Sequence, residues 1–343
     1  PPRYGRAGSS RCKVAAKTFL LAKDQGTSMK VFVTGATGFV GKAVVKALRQ
    51  RDHEVVGLVR DLNKGQTLEH LGVTLAVGDM LKPDSYEGIV ATVDAVIHTA
   101  QYGIQGRFTR KKFEQIEQGD VLMTRTLARA CLAHDKKLLY TSGVFNYGDH
   151  RDEWITEQTL LHPSPLGEAH TKVVEELLLL FREQHLHVII LSPGFVYGPG
   201  GLFKQSFYDT FQKGQLRIFG KGQNYWSIIH IDDLAAAYAL AVESDAYGET
   251  YNIVDDQPLR LCDLVNTFTD AMGKKRVGSM APWLLKLIIG GPLVESLVTS
   301  FRISNEKAKH ELGWQPQYST FKDGLPEVLK ALGPEQEASS GER

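Results

Sequence analysis

Residues 30–41, from Lys30 to Gly41, constrain the fold more than any other part of the chain: a short β-branched strand runs into three glycines and then into a helix rich in alanine and valine. Gly35 allows a tight strand-to-helix turn, Gly38 removes the Cβ that would hold a pyrophosphate off the backbone, and Gly41 lets the helix lie close to the strand. The free N–H groups and positive end of such a helix hold phosphate. Glycine is common here, 33 of 343 residues, and a plain turn would look similar. The context favours a dinucleotide site, because a strand precedes the glycines, a helix over 42–50 follows, and a second strand over 54–59 comes at once.

The alternation continues. The pattern predicts strands over 74–77, 95–98 and 137–141, with helices over 83–90 and 111–133 between them. Strands alternating with helices imply a parallel, doubly wound sheet. A loop rich in Gly, Pro and charge spans 143–165, then an amphipathic helix over 167–184 leads to a strand over 187–191. Beyond Ser192-Pro193-Gly194 the elements shorten: helices over 203–212 and 232–243, strands over 217–219, 228–230 and 250–254, and helices over 259–272, 282–289, 293–298, 304–312 and 320–332. The expected architecture is an α/β Rossmann unit over 29–192, a smaller lobe over 193–332 with 250–254 returning to the main sheet, and a disordered tail over 333–343.

Forty basic and 39 acidic side chains leave a net charge of +1, so no global field favours nucleic acid or an anionic surface. A small-molecule partner is expected. Cys12, Cys131 and Cys262 show neither paired nor zinc spacing and fit free thiols in a reducing compartment. The apolar run 281–289 contains Lys286 and is broken by Gly290-Gly291-Pro292, too short for a membrane span. It reads as a packed helix, with membrane-surface contact the lesser alternative. The first 28 residues carry six basic side chains against Asp24 alone, and Met29 reads as the natural start. That extension is an added or upstream segment, or the remnant of an organelle-targeting sequence. The expected location is cytoplasmic, with an organelle stroma or matrix as the alternative, and a homodimer is compatible with the chain.

Further motifs follow in order: Gly78-Asp79, Tyr140-Thr141-Ser142, the run from Pro193 to Pro199, His230-Ile231-Asp232-Asp233-Leu234-Ala235, and the run from Lys307 to Trp314. With them, residues 30–332 resemble the extended short-chain dehydrogenase/reductases, the NAD-dependent epimerase/dehydratase superfamily that includes dihydroflavonol-reductase-like enzymes. The resemblance implies that Gly35, Thr37, Gly38, Phe39, Val40 and Gly41 cradle the cofactor, that Asp79 and Met80 border the adenine, and that Thr99, Ala100, Lys172, Pro193, Gly194 and Val196 complete the site. An acidic residue at the end of the second strand would hold the ribose of NAD, and a basic one would pair with the extra phosphate of NADP. Val59-Arg60 stands there, which favours NADP; the alternative is a solvated arginine neutralised by Asp61.

The catalytic positions depart from the family. A Tyr-x-x-x-Lys pair is expected on the helix after the active-site loop, the tyrosine as general acid/base and the lysine lowering its pKa. Lys172 is present, but Glu168 replaces the tyrosine, Gly143 the catalytic serine or threonine with Ser142 just before it, and Asp120 the helix asparagine. Glu168 could donate the proton, or could form a structural salt bridge with Lys172 one turn on. His170, His98, Tyr102 or Tyr147 could instead pass a proton, although His170 also reads as a solvated helix residue. No metal site is expected: His230, Asp232 and Asp233 read as a loop and helix start with an aspartate N-cap. Phe195 and Trp226 occupy positions where nucleotide-sugar relatives carry an asparagine and an arginine, so with Tyr102 they suggest an apolar ligand, unless both rings are core. The combined expectation is an atypical NADP(H)-binding oxidoreductase acting on a carbonyl or alcohol of an apolar molecule. The alternative is a non-catalytic NADP-binding sensor or assembly protein.

Overall fold

The computed structural model describes residues 28–102, 109–274 and 276–333. The expected leader over 1–28 (but for Ser28) and the expected tail over 333–343 (but for Gly333) lie outside the described residues. The main unit runs β1 (Lys30–Thr34), α1 (Phe39–Gln50), β2 (Glu54–Val59), α2 (Leu62–Glu69), β3 (Thr74–Val77), α3 (Glu87–Val90), β4 (Ala95–His98), α4 (Arg110–His134), β5 (Lys137–Thr141), β6 (Trp154–Ile155), α5 (Glu168–Gln184), β7 (Val188–Pro193) and β8 (Phe195–Tyr197). Seven strands form one sheet in the order Thr250–Ile253, β7, β5, β4, β1, β2, β3, with every pairing parallel. The doubly wound sheet is therefore present, and the order reverses between β1 and β4.

A parallel sheet covered on both faces buries its central strands along their whole length. All five residues of β5 and all six of β7 are buried. On one face α1 buries Gly41, Val44, Val45 and Leu48, spaced so that they share one helix stripe. The helix Ile231–Glu243 packs there too, and it shares its core with Ala308, Leu312 and Trp314. The chain after Pro193 thus supplies a whole helix and a C-terminal anchor to the main unit, beyond the returning strand. Trp314 is fully buried, and its Nε1 donates to the Asp233 carbonyl at 2.9 Å. The remaining lobe has its own aromatic core, in which Phe203, Phe207, Phe268 and Phe321 meet.

Several local expectations needed correction. α2 was not foreseen. The 83–90 helix is a 3-10 turn, Pro83–Ser85, followed by α3, and the helical stretch from Gly201 contains a π-turn over Lys204–Asp209. Inside the expected 143–165 loop, β6 pairs with Arg302–Ile303. β8 pairs with Ile228–His230, a contact between segments about thirty residues apart that periodicity cannot reveal. His230 is itself the N-cap of the following helix, its Nδ1 accepting from Asp232 N at 3.2 Å, so the expected aspartate cap is wrong. Asp233 instead accepts from the backbone of Gln317 and Tyr318. No helix of the described residues is long and apolar enough to cross a membrane.

Candidate cofactor and active site

The candidate cofactor residues gather at the carboxyl ends of the strands, beside the point where the strand order reverses. Gly35 has φ +70°, and a Cβ there would lie 2.7 Å from Ala100 N, so the glycine loop presses directly on the turn after β4. Thr99 fixes that turn: its hydroxyl donates to the Thr34 carbonyl at 2.7 Å. Gly41 is under α1's closest approach, where a Cβ would sit 2.1 Å from the Gly35 oxygen. Gly38 differs. A Cβ there would meet only Gly35 O, at 3.1 Å, and otherwise faces space free of protein. The helix N-terminus has no side-chain cap, so its first N–H groups are left for a ligand. The cradle thus fits a dinucleotide phosphate.

Thr37 and Val40 are half-buried at the same turn, with Val40 against the sheet core. The Phe39 ring covers a glycine cluster from the lobe: a Cβ on Gly198, Gly200 or Gly201 would fall 2.9, 2.8 or 2.5 Å from it. Arg60 is exposed at the end of β2. The neighbouring Asp61 carboxylate caps α2, accepting from Asn63 N at 2.9 Å. After β3, Asp79 folds into a turn by accepting from Leu81 N, and Met80 is buried. Pro193 closes β7, Gly194 donates to Ile253 O at 3.1 Å, and Val196 pairs with Ile229.

The candidate catalytic residues are less unified. Ser142 is buried and accepts from Asn146 Nδ2 at 2.9 Å. A Cβ on Gly143 would meet no atom within 4 Å, so this position faces open space. Glu168 and Lys172 do not pair with each other. Arg110 at the start of α4 lies 3.6 Å from Glu168, and Glu117, one to two turns further along α4, holds the Lys172 ammonium. α4 supplies a better-placed countercharge to each, which the i,i+4 spacing could not anticipate. Asp120 is buried and accepts from Tyr102 N at 2.8 Å; burial pushes its pKa up to about 6, with that N–H pulling the other way. The Tyr102 ring lies over Gly119, where a Cβ would be 2.6 Å from it.

His170 is not a solvated helix residue. Its Nδ1 lies 2.8 Å from the Tyr140 hydroxyl. Burial pushes the imidazole down to about 4 and the phenol well above its usual 10, so at neutral pH the phenol keeps its proton and the imidazole is neutral. A buried contact joins Thr34 Oγ1 to His98 Nδ1 at 2.7 Å, and burial, with His170 nearby, lowers His98 to about 3. Tyr147 donates to Asn252 Oδ1 at 3.0 Å. Sequence reading missed the Tyr140–His170 pair. The available signal was a tyrosine inside a strand that a doubly wound sheet buries, where its hydroxyl needs a partner.

On the substrate side, Trp226 is buried and donates to the Leu297 carbonyl at 3.3 Å. Phe195 is half-buried with its ring 5.1 Å from that of Trp226. Both contribute to the lobe's aromatic cluster.

A doubly wound parallel sheet with an uncapped, glycine-lined helix start beside its switch point defines a Rossmann-type dinucleotide-binding protein. The model of the NAD dependent epimerase/dehydratase family matches residues 31–254. A 2-alkyl-3-oxoalkanoate reductase from Stenotrophomonas maltophilia is 31% identical over 333 residues, covering 87% of this chain and 97% of that protein. Two solved structures share the fold: a dTDP-glucose 4,6-dehydratase from Streptomyces venezuelae with NAD, at TM-score 0.74, 22% identity and coverage of 88% and 96%, and human epimerase family protein SDR39U1 with NADPH, at 0.72, 20%, and 88% and 99%. The chain belongs to the NAD-dependent epimerase/dehydratase family, within the extended short-chain dehydrogenases/reductases.

Proposed function

We propose that the protein is an NADP(H)-dependent oxidoreductase of this family that acts on a carbonyl or alcohol of an apolar small molecule. The observation that carries the cofactor half is Arg60, exposed at the end of β2 with Asp61 turned to its own helix. A guanidinium there suits the adenosine phosphate of NADP. The substrate half is supported by the relative's name, a reductase of an alkyl-substituted 3-oxo acid, and by half-buried Phe195, whose ring offers a diphosphate no compensation for lost water; Trp226, buried with its N–H bonded to Leu297 O, belongs to the lobe core instead.

The nicotinamide would supply the hydride. The chain's own residues bind and orient: Gly38 and the start of α1 hold phosphate, Lys172 swings from Glu117 to the ribose, and Glu168 or a water beside it handles the proton at the substrate oxygen. Arg110 at 3.6 Å is the charged partner of Glu168 and holds its carboxyl at the start of α5. A non-catalytic NADP-binding role is favoured by one observation, that Glu168 and Lys172 are each engaged by α4 rather than facing a shared site.

NADPH oxidation by alkyl 3-oxo acids, followed across pH in wild type and Glu168→Gln, tests these readings. Turnover that falls about 10²–10⁴-fold in Glu168→Gln supports the enzyme. NADPH binding without turnover in either protein supports the sensor. Turnover undiminished in Glu168→Gln overturns the role given to the carboxyl.

A further inference from the structure

The helix Pro282–Ile289 turns its apolar side outward. Leu285 is buried beneath it, while Trp283, Leu287 and Ile288 are 68%, 62% and 56% exposed, and Leu284 shares their face. These positions, at i, i+1, i+4 and i+5, form one continuous stripe. Single exposed apolar residues are ordinary, but a stripe with a tryptophan at its edge is not.

Two stretches next to the helix are one-signed. Residues 210–230 and 271–294 contain no Asp or Glu, although the whole chain is nearly neutral, and they carry Lys213, Arg217, Lys221, Lys274, Arg276 and Lys286. The fold joins the two stretches: Ser279–Met280 pairs with Ile218–Phe219, and Gly220 N donates to Met280 O at 2.9 Å immediately before the helix. Among the described residues no carboxylate pairs with Lys213, Arg217, Lys221, Lys274 or Arg276. Arg217 donates only to the Gly214 and Leu216 carbonyls, and Lys274 lies over the Phe211 ring at 5.0 Å.

We infer that this face docks on an anionic lipid bilayer, the helix lying in the interface plane. Trp, Leu and Ile side chains would enter the headgroup boundary, where tryptophan is at its most favourable, while the basic rim meets anionic headgroups. Charge complementarity decides the occupant. A second copy of this face would set like charges against each other, whereas a bilayer with negative headgroups satisfies both the stripe and its rim. This is surface attachment, distinct from a span, and it does not depend on the catalytic reading.

Co-sedimentation of the full chain with vesicles of phosphatidylcholine alone, and with added phosphatidylserine, is the test. Binding is expected only to the anionic vesicles and should weaken in high salt. Trp283→Ser with Leu287→Ser, and separately Lys221→Glu with Arg276→Glu, should each lower partitioning about tenfold or more. These side chains are exposed, so circular dichroism should be unchanged. No binding to anionic vesicles, or equal binding by the variants, overturns the inference. So does a wild-type dimer in velocity sedimentation that becomes monomeric in Trp283→Ser with Leu287→Ser, which would make a second copy the occupant.

Discussion

Arg60 shows how far a single residue can be read. Its place at the end of β2 follows from counting along one βαβ unit, while the fate of its neighbour Asp61 required the structure. If the guanidinium pairs with the adenosine phosphate, Arg60→Ala should cost NADPH about 1.5–3 kcal/mol of binding and leave NADH nearly unchanged. Titration by cofactor fluorescence measures both, and equal losses would remove the NADP assignment. Around Glu168, residue-level reading reached less far. The identities of Glu168, Lys172 and Asp120 were legible, but their partners Arg110, Glu117 and the Tyr102 backbone come from segments whose approach no local spacing encodes.

Among the elements, strands and helices with strong periodicity were legible: β1, β2, β4, β5 and the long helices α4 and α5 fall within a residue or two of expectation. Two-residue strands such as β6 have no periodicity to detect, and the π-turn in Lys204–Asp209 looks like ordinary helix in sequence. The glycine loop separates two roles within one element. Alanine normally gains about 1 kcal/mol over glycine inside a helix, yet at position 41 its Cβ would lie 2.1 Å from a backbone oxygen that cannot move away. Gly41→Ala should therefore destabilise the fold by about 1–3 kcal/mol. Gly38→Val should leave stability nearly unaltered and abolish dinucleotide binding, because its side chain enters space that holds no protein atom but Gly35 O. Thermal unfolding beside calorimetric titration distinguishes them; a Gly38→Val protein that binds cofactor normally would reduce the motif to a turn.

For the whole molecule, buried titratable groups tie stability to pH. His98 is held neutral down to about 3 in the folded chain, against about 6.5 unfolded. As pH falls through 6.5 the unfolded chain takes up a proton that the folded chain refuses, so this residue removes about 1.4 kcal/mol of stability per pH unit. Asp120, raised to about 6 by burial, acts in the opposite sense between 6 and its unfolded value near 3.8. It is common to wild type and variant, so it cancels in their comparison. His98→Asn, whose amide can still meet Thr34, should lose stability at pH ~7 yet gain on wild type by about 1.4 kcal/mol for each unit of acidification down to about pH 4. Urea unfolding at several pH values tests this, and parallel curves would mean that His98 is not held neutral. At this scale the sequence revealed a sheet and a lobe, but not that Ile231–Glu243 and Trp314 bind the lobe's chain back onto the sheet. The Phe39 ring makes the same join at the cofactor end, filling the space that Cβ atoms on Gly198, Gly200 and Gly201 would need. Inheritance at these positions is consequently conditional: an alanine at 200 is viable only in a lineage that has already given up the ring at 39, so the phosphate-binding turn and the lobe loop drift as one unit.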